Sequence, residues 1–349
     1  MQYSTWATSG NGGFLRAEVE QNLDASYPYN LALAQAADAA GFFGMLFPVR
    51  YLAAHGQPES APGQLDPLVL AAAVASHTQH LRVISAILPG FVPPATLAKM
   101  GATLDHISQG RWHVNLVTGW FKQEQHSLGA QWGEHAERYQ RSSEYLQVLK
   151  GLWQHERFSF AGRFYPIEDA TQRPRPLQRP YPAIFQGGNS AAAQQMAGEH
   201  SDWYFINGAP HARLKEQIDA VSAIARQHGR RVRFSVNAFV IARDSDAQAQ
   251  AELAQILAAA DTQAIEQFRE KAKEAQGMWR DDDGLASFVA INEGLRTGLV
   301  GSYEQVATRI AELEALGIEM LLLSFRYPLQ ELPLFHRQVA QRLPAHPTA

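Results

Sequence analysis

The chain has 349 residues, of which 46% are hydrophobic and 18% charged, a balance that excludes a disordered protein and suits a globular fold. Its formal net charge of -4 gives no general attraction for nucleic acid, and the lack of cysteine excludes disulfides, thiolate metal sites and thiol nucleophiles. The N-terminus has no basic region followed by an apolar core, and no apolar run is long enough to span a bilayer. We therefore expect a cytoplasmic protein that binds neither nucleic acid nor membranes.

Strand-like and helix-like segments alternate from end to end. The predicted strands cover 3–8, 44–49, 81–88, 112–117, 182–187, 202–207, 232–242 and 319–325. The predicted helices between them cover 30–41, 67–78, 94–108, 137–153, 190–200, 211–229 and 304–317. The segment 158–167 interrupts this alternation and is typical of a hairpin insertion.

This alternation requires parallel strands joined by helical crossovers. Eight strands in a chain of this length predict the α/β class, as a (β/α)8 TIM barrel with insertions, rather than an open doubly wound sheet. No GxGxxG motif follows a strand, so the open-sheet dinucleotide-binding fold lacks its best support. No linker rich in Pro, Gly or Ser divides the chain, and we expect a single domain over residues 1–349.

The largest insertion is expected between strands seven and eight, at about 243–300. It contains helical patterns at 247–260 and 265–279. Because active sites of such barrels lie at the carboxyl ends of the strands, this segment is predicted to be a lid or a wall of the pocket. The alternative is a surface decoration.

Strand four carries polar side chains toward the interior of the barrel. Alternate residues of a barrel strand face inward, so His113, Asn115 and Val117 share one face. A buried amide without a partner costs about 1–3 kcal/mol, so Asn115 must pair either with a ligand or with a neighbouring group. His113 lies deeper and is predicted to be a core histidine.

Three further positions favour anion binding. Arg138 and Tyr139 lie near the start of a helix, where a phosphate is favoured, although surface ion pairs at four-residue spacing explain the arginine equally. Ser190 follows a glycine pair between a strand and a helix, where it either caps the helix or binds a phosphate. Arg50 follows strand two and is a candidate for a cofactor carbonyl or a substrate anion, the alternative being a solvated arginine.

Metal and hydrolase motifs are missing from the sequence. The histidines are scattered without HxH or HExxH pairs at the strand ends, and no GxSxG motif occurs. We predict no metal site.

Three blocks carry a resemblance that extends over nearly the whole chain: "TLDHISQGRWHVNLVTGW" (103–120), "ERY" (137–139) and "GLVGSYEQVATRIAELEALGIEMLLLSF" (298–325). The family that these blocks resemble is the bacterial luciferase-like flavin-dependent monooxygenases. Four more are similar to the organosulfur branch, which contains dimethylsulfone and alkanesulfonate monooxygenases: "AILPG" (86–90), "VNLVTGWF" (114–121), "EHAERY" (134–139) and "NEGLRTGLVGSYEQVA" (292–307).

The resemblance implies a set of site residues. The implied FMN contacts are Val49, Arg50, Asn115, Glu124, Arg138, Tyr139 and Ser190. The expected substrate pocket contains Trp6, Trp120, Asn237 and Phe239. Alkanesulfonate enzymes have an arginine and a histidine where this chain has Asn237 and Phe239, so we expect a neutral, partly aromatic pocket for a small sulfone. Catalytic residues are not identified, and the candidates are His135, Arg296, Arg326 and Tyr327.

The implied activity is a monooxygenase reaction in which reduced FMN (FMNH2) and O2 oxidise a small organosulfur compound and cleave a C–S bond. No second nucleotide-binding motif is present, so a separate NAD(P)H-dependent flavin reductase is the expected partner, and a homo-oligomer, dimer or tetramer, is expected. The alternatives are a pyrimidine-ring-opening oxygenase, a deazaflavin-dependent hydride-transfer oxidoreductase, a non-catalytic flavin-binding relative and, more distantly, a metal-dependent hydrolase.

Overall fold

The computed structural model describes residues 1–9, 13–52, 63–271, 284 and 286–343. In chain order the strands and helices are β1 (Gln2–Trp6), α1 (Tyr27–Ala39), β2 (Gly44–Phe47), α2 (Pro67–Ala75), β3 (Arg82–Ile87), α3 (Pro94–Ile107), β4 (Trp112–Leu116), α4 (Lys122–Ser127), α5 (His135–Gln154), β5 (Phe158–Phe160), β6 (Ile167–Ala170), β7 (Ile184–Gly187), α6 (Ala191–His200), β8 (Trp203–Ile206), α7 (His211–Gln227), β9 (Arg233–Phe239), β10 (Ile241–Arg243), α8 (Asp246–Ala258), α9 (Thr262–Lys271), α10 (Ala286–Val289), β11 (Val300–Ser302), α11 (Tyr303–Ala315), β12 (Met320–Ser324) and α12 (Pro328–Gln338). Short 3-10 helices occupy Ile291–Thr297 and Ala340–Arg342.

Eight parallel strands form a closed barrel. Their order around the ring is β1-β12-β9-β8-β7-β4-β3-β2, and β1 closes it by pairing with both β12 and β2. Helices connect successive strands on the outside. This arrangement confirms the predicted α/β barrel, because each of the eight predicted strands contributes one barrel strand.

The alternation of side chains along the strands creates two apolar layers. Leu46, Ile84 and Phe185 are buried in the cluster inside the barrel. Met45 and Val83, their chain neighbours, belong to the larger cluster that packs against the helices. A strand buried on both faces needs apolar residues at nearly every position, which explains the continuous hydrophobic runs in the sequence.

Polar caps fix where several helices begin. Asp66 accepts hydrogen bonds from the backbone N–H groups of Leu68 and Val69, both at 2.9 Å, at the start of α2. Ser302 forms a capping box with Gln305 at the start of α11. Such caps satisfy N–H groups that have no partner within the helix, and so define the turns that follow the strands.

The structure differs from the predicted elements in several places. The predicted strand 232–242 is divided at Val240, because its last residues leave the barrel to pair with β11 as β10. The short helix α4 and the helix α12 were not predicted. Helix α12 begins with Pro328 and is held by Leu332 and Phe335, which are buried against the barrel.

The longest connection between barrel strands runs over residues 240–319, between β9 and β12, where the sequence predicts the largest insertion. The predicted hairpin is present as the antiparallel pair β5 and β6. The described part of the helix predicted at 265–279 is α9, and residues 272–279 lie outside the described residues. Within the described ranges, no helix combines the length and the apolar character required to cross a bilayer.

Candidate active site

A cavity of about 580 Å³ opens at the carboxyl ends of the barrel strands. Its walls come from the segments that follow β1, β2, β4, β7 and β8, together with residues of the long insertion. Asp261, Phe268 and Asn292 belong to this insertion, and all three line the cavity. Described residues of the insertion therefore contribute to the lining of the cavity.

The predicted cofactor residues gather at this cavity. Those that line it are Val49, Arg50, Asn115, Arg138 and Tyr139. The other two lie immediately behind the lining, where Glu124 supports the segment after β2 and Ser190 begins α6.

Asn115 presents an unpaired acceptor to the cavity. The residue is 7% exposed, and its Oδ1 atom has no hydrogen-bond partner among the described residues. Most buried polar atoms in proteins are paired, so an orphaned oxygen on a cavity wall indicates a ligand with a hydrogen-bond donor. This acceptor fits a group with an N–H donor at its edge, such as an isoalloxazine.

His113 lies below Asn115 on the same strand and is a core histidine, as predicted. Its Nδ1 atom accepts a hydrogen bond of 3.2 Å from the backbone N–H of Ala183, and its ring stacks on Phe43. Burial, helped by the charge of Arg82, lowers the pKa of His113 to about 3, so the imidazole is neutral.

Glu124 organises the segment that carries Arg50. Its Oε1 atom accepts hydrogen bonds from the backbone N–H groups of Tyr51 at 2.8 Å and Leu52 at 3.1 Å. The Arg50 guanidinium lies over the Trp120 ring, 4.7 Å from its centroid. Burial lowers the pKa of Arg50, and Glu124 opposes that shift. The arginine is thus held as a cation at the cavity wall.

Arg138 and Tyr139 form a cationic end of the cavity together with the turn after β7. Arg138 lies 3.8 Å above the Trp132 ring centroid and donates a hydrogen bond of 3.0 Å to the carbonyl of Gly133. Gly188 has a φ of 126°, and a Cβ there would lie 3.0 Å from the Tyr139 hydroxyl, so only glycine leaves this space open.

Ser190 completes this end of the cavity. It accepts a hydrogen bond of 3.2 Å from the backbone N–H of Ala193 and thereby caps α6. It also hydrogen-bonds with Tyr139, whose pKa is raised mainly by burial. A guanidinium, a phenol and a helix N-terminus at one end of the cavity suit a phosphate.

The expected substrate residues divide into two groups. Trp6 and Trp120 line the cavity. Asn237 and Phe239 are fully buried behind the wall, and the structure does not bring them to the cavity surface. The Oδ1 atom of Asn237 instead accepts a hydrogen bond of 2.8 Å from the indole Nε1 of Trp6.

Of the catalytic candidates, the structure brings only His135 into the described lining of the cavity. Its ring contacts Tyr139, and its pKa is lowered by partial burial and by Arg138. Arg326 and Tyr327 lie elsewhere: Nη1 of Arg326 is 3.6 Å from Glu252, and the Tyr327 hydroxyl donates a hydrogen bond of 3.0 Å to the carbonyl of Glu20. Arg296 is likewise outside the described lining.

The sequence analysis missed Arg16, which adds a positive charge to the lining of the cavity. Its guanidinium lies 3.8 Å above the Phe268 ring centroid, and its Nη1 atom donates a hydrogen bond of 2.8 Å to the carbonyl of Phe288. Burial lowers the pKa of Arg16 to about 10, so it stays protonated at neutral pH. No local motif marks this residue, because it lies in an irregular segment that pairs with the insertion at Leu15 and Ala290.

Comparison with known proteins gives the family. The family model described as luciferase-like monooxygenase matches residues 1–320. An FMNH2-dependent dimethylsulfone monooxygenase of Pseudomonas putida is 41% identical over 97% of this chain and 94% of its own length. The protein with the same description in Pseudomonas fluorescens (strain Pf0-1) is 39% identical over 97% of this chain and 93% of its own length.

A solved structure agrees with the fold. The crystal structure of a long-chain alkane monooxygenase superposes with a TM-score of 0.84 at 18% identity, covering 98% of this chain and 91% of that one. The resemblance inferred from the sequence blocks is confirmed. The chain belongs to the luciferase-like monooxygenase family.

Proposed function

We propose that this protein is an FMNH2-dependent monooxygenase that uses O2 to oxidise dimethyl sulfone with cleavage of a C–S bond. The observation that carries the proposal is the unpaired Oδ1 of Asn115 in a cavity large enough for a flavin and a small substrate together. The dimethylsulfone monooxygenases that match nearly the whole chain support the choice of substrate.

In this proposal the residues of the chain bind and orient the flavin. Asn115 accepts a hydrogen bond from the ring system, Val49 and Arg50 contact it from the segment after β2, and Glu124 holds that segment. Arg138, Tyr139 and Ser190 bind the phosphate at the opposite end of the molecule. Reduced FMN, when bound, supplies the two electrons with which O2 is activated.

The wall formed by the insertion excludes water from the reacting groups. Trp120 packs edge-to-face on Phe268 at 5.7 Å between ring centroids, so the segment after β4 and helix α9 meet above the cavity. Exclusion of water protects a reactive oxidant from wasteful breakdown. We propose that the segment 243–300 serves as this wall within a single domain over residues 1–349.

The reaction balances with one substrate, one O2 and one FMNH2. One oxygen atom enters at a carbon bound to sulfur, and breaking that C–S bond gives formaldehyde and methanesulfinate. The other oxygen atom leaves as water, and FMNH2 is oxidised to FMN. Because no GxGxxG motif follows a strand, we propose that a separate NAD(P)H-dependent reductase supplies the reduced flavin.

We propose that the protein is a homo-oligomer, a dimer or a tetramer. Val69 on the alanine-rich helix α2 is 68% exposed, which supports contact with another copy there. Light scattering coupled to gel filtration measures the mass in solution, and a monomer contradicts this part of the proposal.

The activity is tested with purified protein, photoreduced FMN and O2. Dimethyl sulfone, methanesulfonate and uracil are supplied separately, and formaldehyde and methanesulfinate are quantified by mass spectrometry. We expect both products from dimethyl sulfone in equal amounts and none when the FMN is left oxidised. Product from uracil alone contradicts the proposal, and rapid NADH oxidation without a reductase contradicts the two-component arrangement.

A further inference from the structure

The cavity has a second polar end, opposite the proposed phosphate end. In the ring of strands, β7 and β4 lie across the barrel from β1 and β12. The phosphate end follows β4 and β7, whereas Trp6 ends β1, and Phe14 and Arg16 belong to the segment after it. A flavin with its phosphate at Arg138 therefore leaves the β1 side of the cavity for the substrate.

Arg16 is a fixed donor at this end. One N–H group donates to the carbonyl of Phe288, and the guanidinium plane rests on the Phe268 ring. A guanidinium has five N–H donors in a rigid fork, so donors remain for a ligand in the cavity. The backbone of Arg16 is held as well, because its N–H donates a hydrogen bond of 2.7 Å to the carbonyl of Val289.

Asn292 is held beside it in a strained conformation. Its φ is 47° and that of Glu293 is 52°, so two successive non-glycine residues occupy the left-handed region. A non-glycine residue in this region is strained and persists only where its surroundings enforce the conformation. Here the carbonyl of Asn292 accepts from the backbone N–H of Gly208 at 2.9 Å, and Oε2 of Glu293 accepts from Asn207 at 2.5 Å.

Asn237 connects this strained segment to Trp6. Its Nδ2 atom donates to the carbonyls of Ile291 at 3.0 Å and Asn292 at 3.3 Å, while its Oδ1 accepts from the Trp6 indole. A Cβ on Gly294 would lie only 2.8 Å from the same Nδ2 atom, which shows how closely the segment packs on the amide. The buried amide thus fixes the relative positions of two cavity residues.

These contacts match the chemistry of a sulfone. Its two oxygens are hydrogen-bond acceptors without a proton of their own, and its two methyl groups need apolar contact. The guanidinium of Arg16 and the amide of Asn292 supply donors, and Trp6 and Phe14 supply aromatic surface. A charged donor also polarises the S–O bonds when the C–S bond breaks and the sulfinate anion forms.

We propose that Arg16 and Asn292 bind the sulfonyl oxygens of the substrate, and that Asn237 is a positioning residue that holds Asn292 and Trp6. This inference rests on the proposed function, since it assigns the substrate end of the same cavity.

The test uses three variants and a control. Arg16→Met removes the donors while keeping an unbranched side chain, and Asn292→Gly removes the amide without adding strain at positive φ. Asn237→Asp keeps the acceptor for Trp6 but removes the donor to the 291–292 carbonyls. Arg226→Met, on the exposed face of α7, is the control for loss of an arginine.

Three quantities are measured for each variant: the dissociation constant of FMN from flavin fluorescence, the KM for dimethyl sulfone, and the amount of product formed per FMNH2 consumed. A charge-assisted hydrogen bond corresponds to about a 10-fold to 100-fold change in KM, and a neutral one to about 2-fold to 10-fold. We expect Arg16→Met to show the larger rise in KM and Asn292→Gly the smaller one, with unchanged FMN affinity.

Asn237→Asp should raise KM and lower the product formed per FMNH2 while FMN affinity stays unchanged. Substitution of a residue that only stabilises the fold would not change KM and the product yield while leaving FMN affinity unchanged. Saturation-transfer NMR of the methyl signal of dimethyl sulfone, with protein and oxidised FMN, provides a measure of binding without turnover. The signal should be lost in Arg16→Met and kept in Arg226→Met.

Two failures are distinguishable. If the wild-type protein gives no product from dimethyl sulfone, the proposed function fails and this inference fails with it. If the wild-type protein gives product and both Arg16→Met and Asn292→Gly retain its KM and NMR signal, only the assignment of the substrate end is overturned. If Arg16→Met raises the dissociation constant of FMN as much as it raises KM, Arg16 contacts the flavin, and the assignment is also overturned.

Discussion

Glu124 and Arg50 share one wall of the cavity, with Oε1 of the carboxylate 3.9 Å from Nε of the guanidinium. The same oxygen accepts the backbone N–H groups of Tyr51 and Leu52, so the carboxylate holds the backbone more tightly than it holds the arginine. A distance of 3.9 Å makes the ion pair the weaker of these contacts.

This relationship predicts different outcomes for two substitutions at Glu124. Glu124→Ala leaves two backbone donors without an acceptor, and we expect the dissociation constant of FMN to rise about tenfold or more. Glu124→Gln retains an acceptor oxygen and should stay within about threefold of the wild type. Fluorescence titration of FMN measures both, with Glu312→Ala on the exposed face of α11 as the control. Equal losses in the two variants would show that the charge, not the backbone contact, matters.

Asn115 and Asn30 are both buried asparagines, but they differ in their hydrogen bonding. Asn30 is fully paired, since its Oδ1 accepts from Thr8 N–H at 2.8 Å and its Nδ2 donates to Ala25 and Ser26 carbonyls. Asn115→Ala should therefore leave the melting temperature of the flavin-free protein unchanged or higher while weakening FMN binding. Asn30→Ala should lower the free energy of unfolding by about 1–3 kcal/mol.

Thermal unfolding and FMN titration of both variants check this contrast. A loss of stability in Asn115→Ala equal to that in Asn30→Ala would mean that the Asn115 amide serves the fold rather than a ligand.

Arg138 should distinguish FMN from riboflavin, which lacks the phosphate. We expect Arg138→Met to raise the dissociation constant of FMN about 10-fold to 100-fold, because it removes a charge-assisted contact. Riboflavin affinity should be nearly unchanged. Titration of both flavins, with Arg226→Met as the control, measures the ratio of the FMN and riboflavin dissociation constants. An equal rise for the two flavins would place the phosphate away from Arg138.

The buried His113 predicts acid sensitivity of the fold. Its pKa is lowered from 6.5 to about 3, so between these values the unfolded chain binds a proton that the folded chain does not. Above pH 6.5 the neutral His113 does not reduce the free energy of unfolding. As the pH falls below 6.5, the unfolded chain gains a proton that the folded chain does not, and the free energy of unfolding decreases. Between pH 7 and pH 5 the loss from this group is about 2 kcal/mol.

Denaturant unfolding at pH 7 and pH 5 measures the effect. His113→Phe, which keeps an aromatic ring beside Phe43, should show a smaller loss between the two pH values than the wild type. Some loss should remain, because burial and the charge of Lys150 also lower the pKa of His200, to about 4. The control is His211→Gln at the exposed start of α7. An unchanged pH dependence in His113→Phe would contradict the assignment.

The barrel and much of the cavity lining could be predicted from the sequence because both depend on local patterns. Continuous apolar runs separated by helical periodicity identify the barrel strands, and the two-residue repeat places Asn115 on the inward face at the end of β4. Gly188 and Ser190 lie at a strand-to-helix turn whose residue types are typical of that turn.

Asn237 shows where a local pattern is insufficient. The resemblance implies that Asn237 belongs to the substrate pocket, but whether an inward side chain meets the cavity depends on what covers it. The segment 291–297, far away in sequence, packs on this amide and separates it from the cavity.

By itself the sequence determined the alternation of strands and helices, the closed barrel and the polar residues at the strand ends. These features depend on the pattern of apolar and polar residues within short stretches of the chain. Only the tertiary structure decided that Arg16, Phe268 and Asn292 line the same cavity, and that Arg326 and Tyr327 do not. Arg16 and Asn292 belong to irregular segments, whereas Phe268 belongs to helix α9. Their meeting at one cavity depends on long-range pairing, such as that of Leu15 with Ala290, which leaves no periodic signal in the chain.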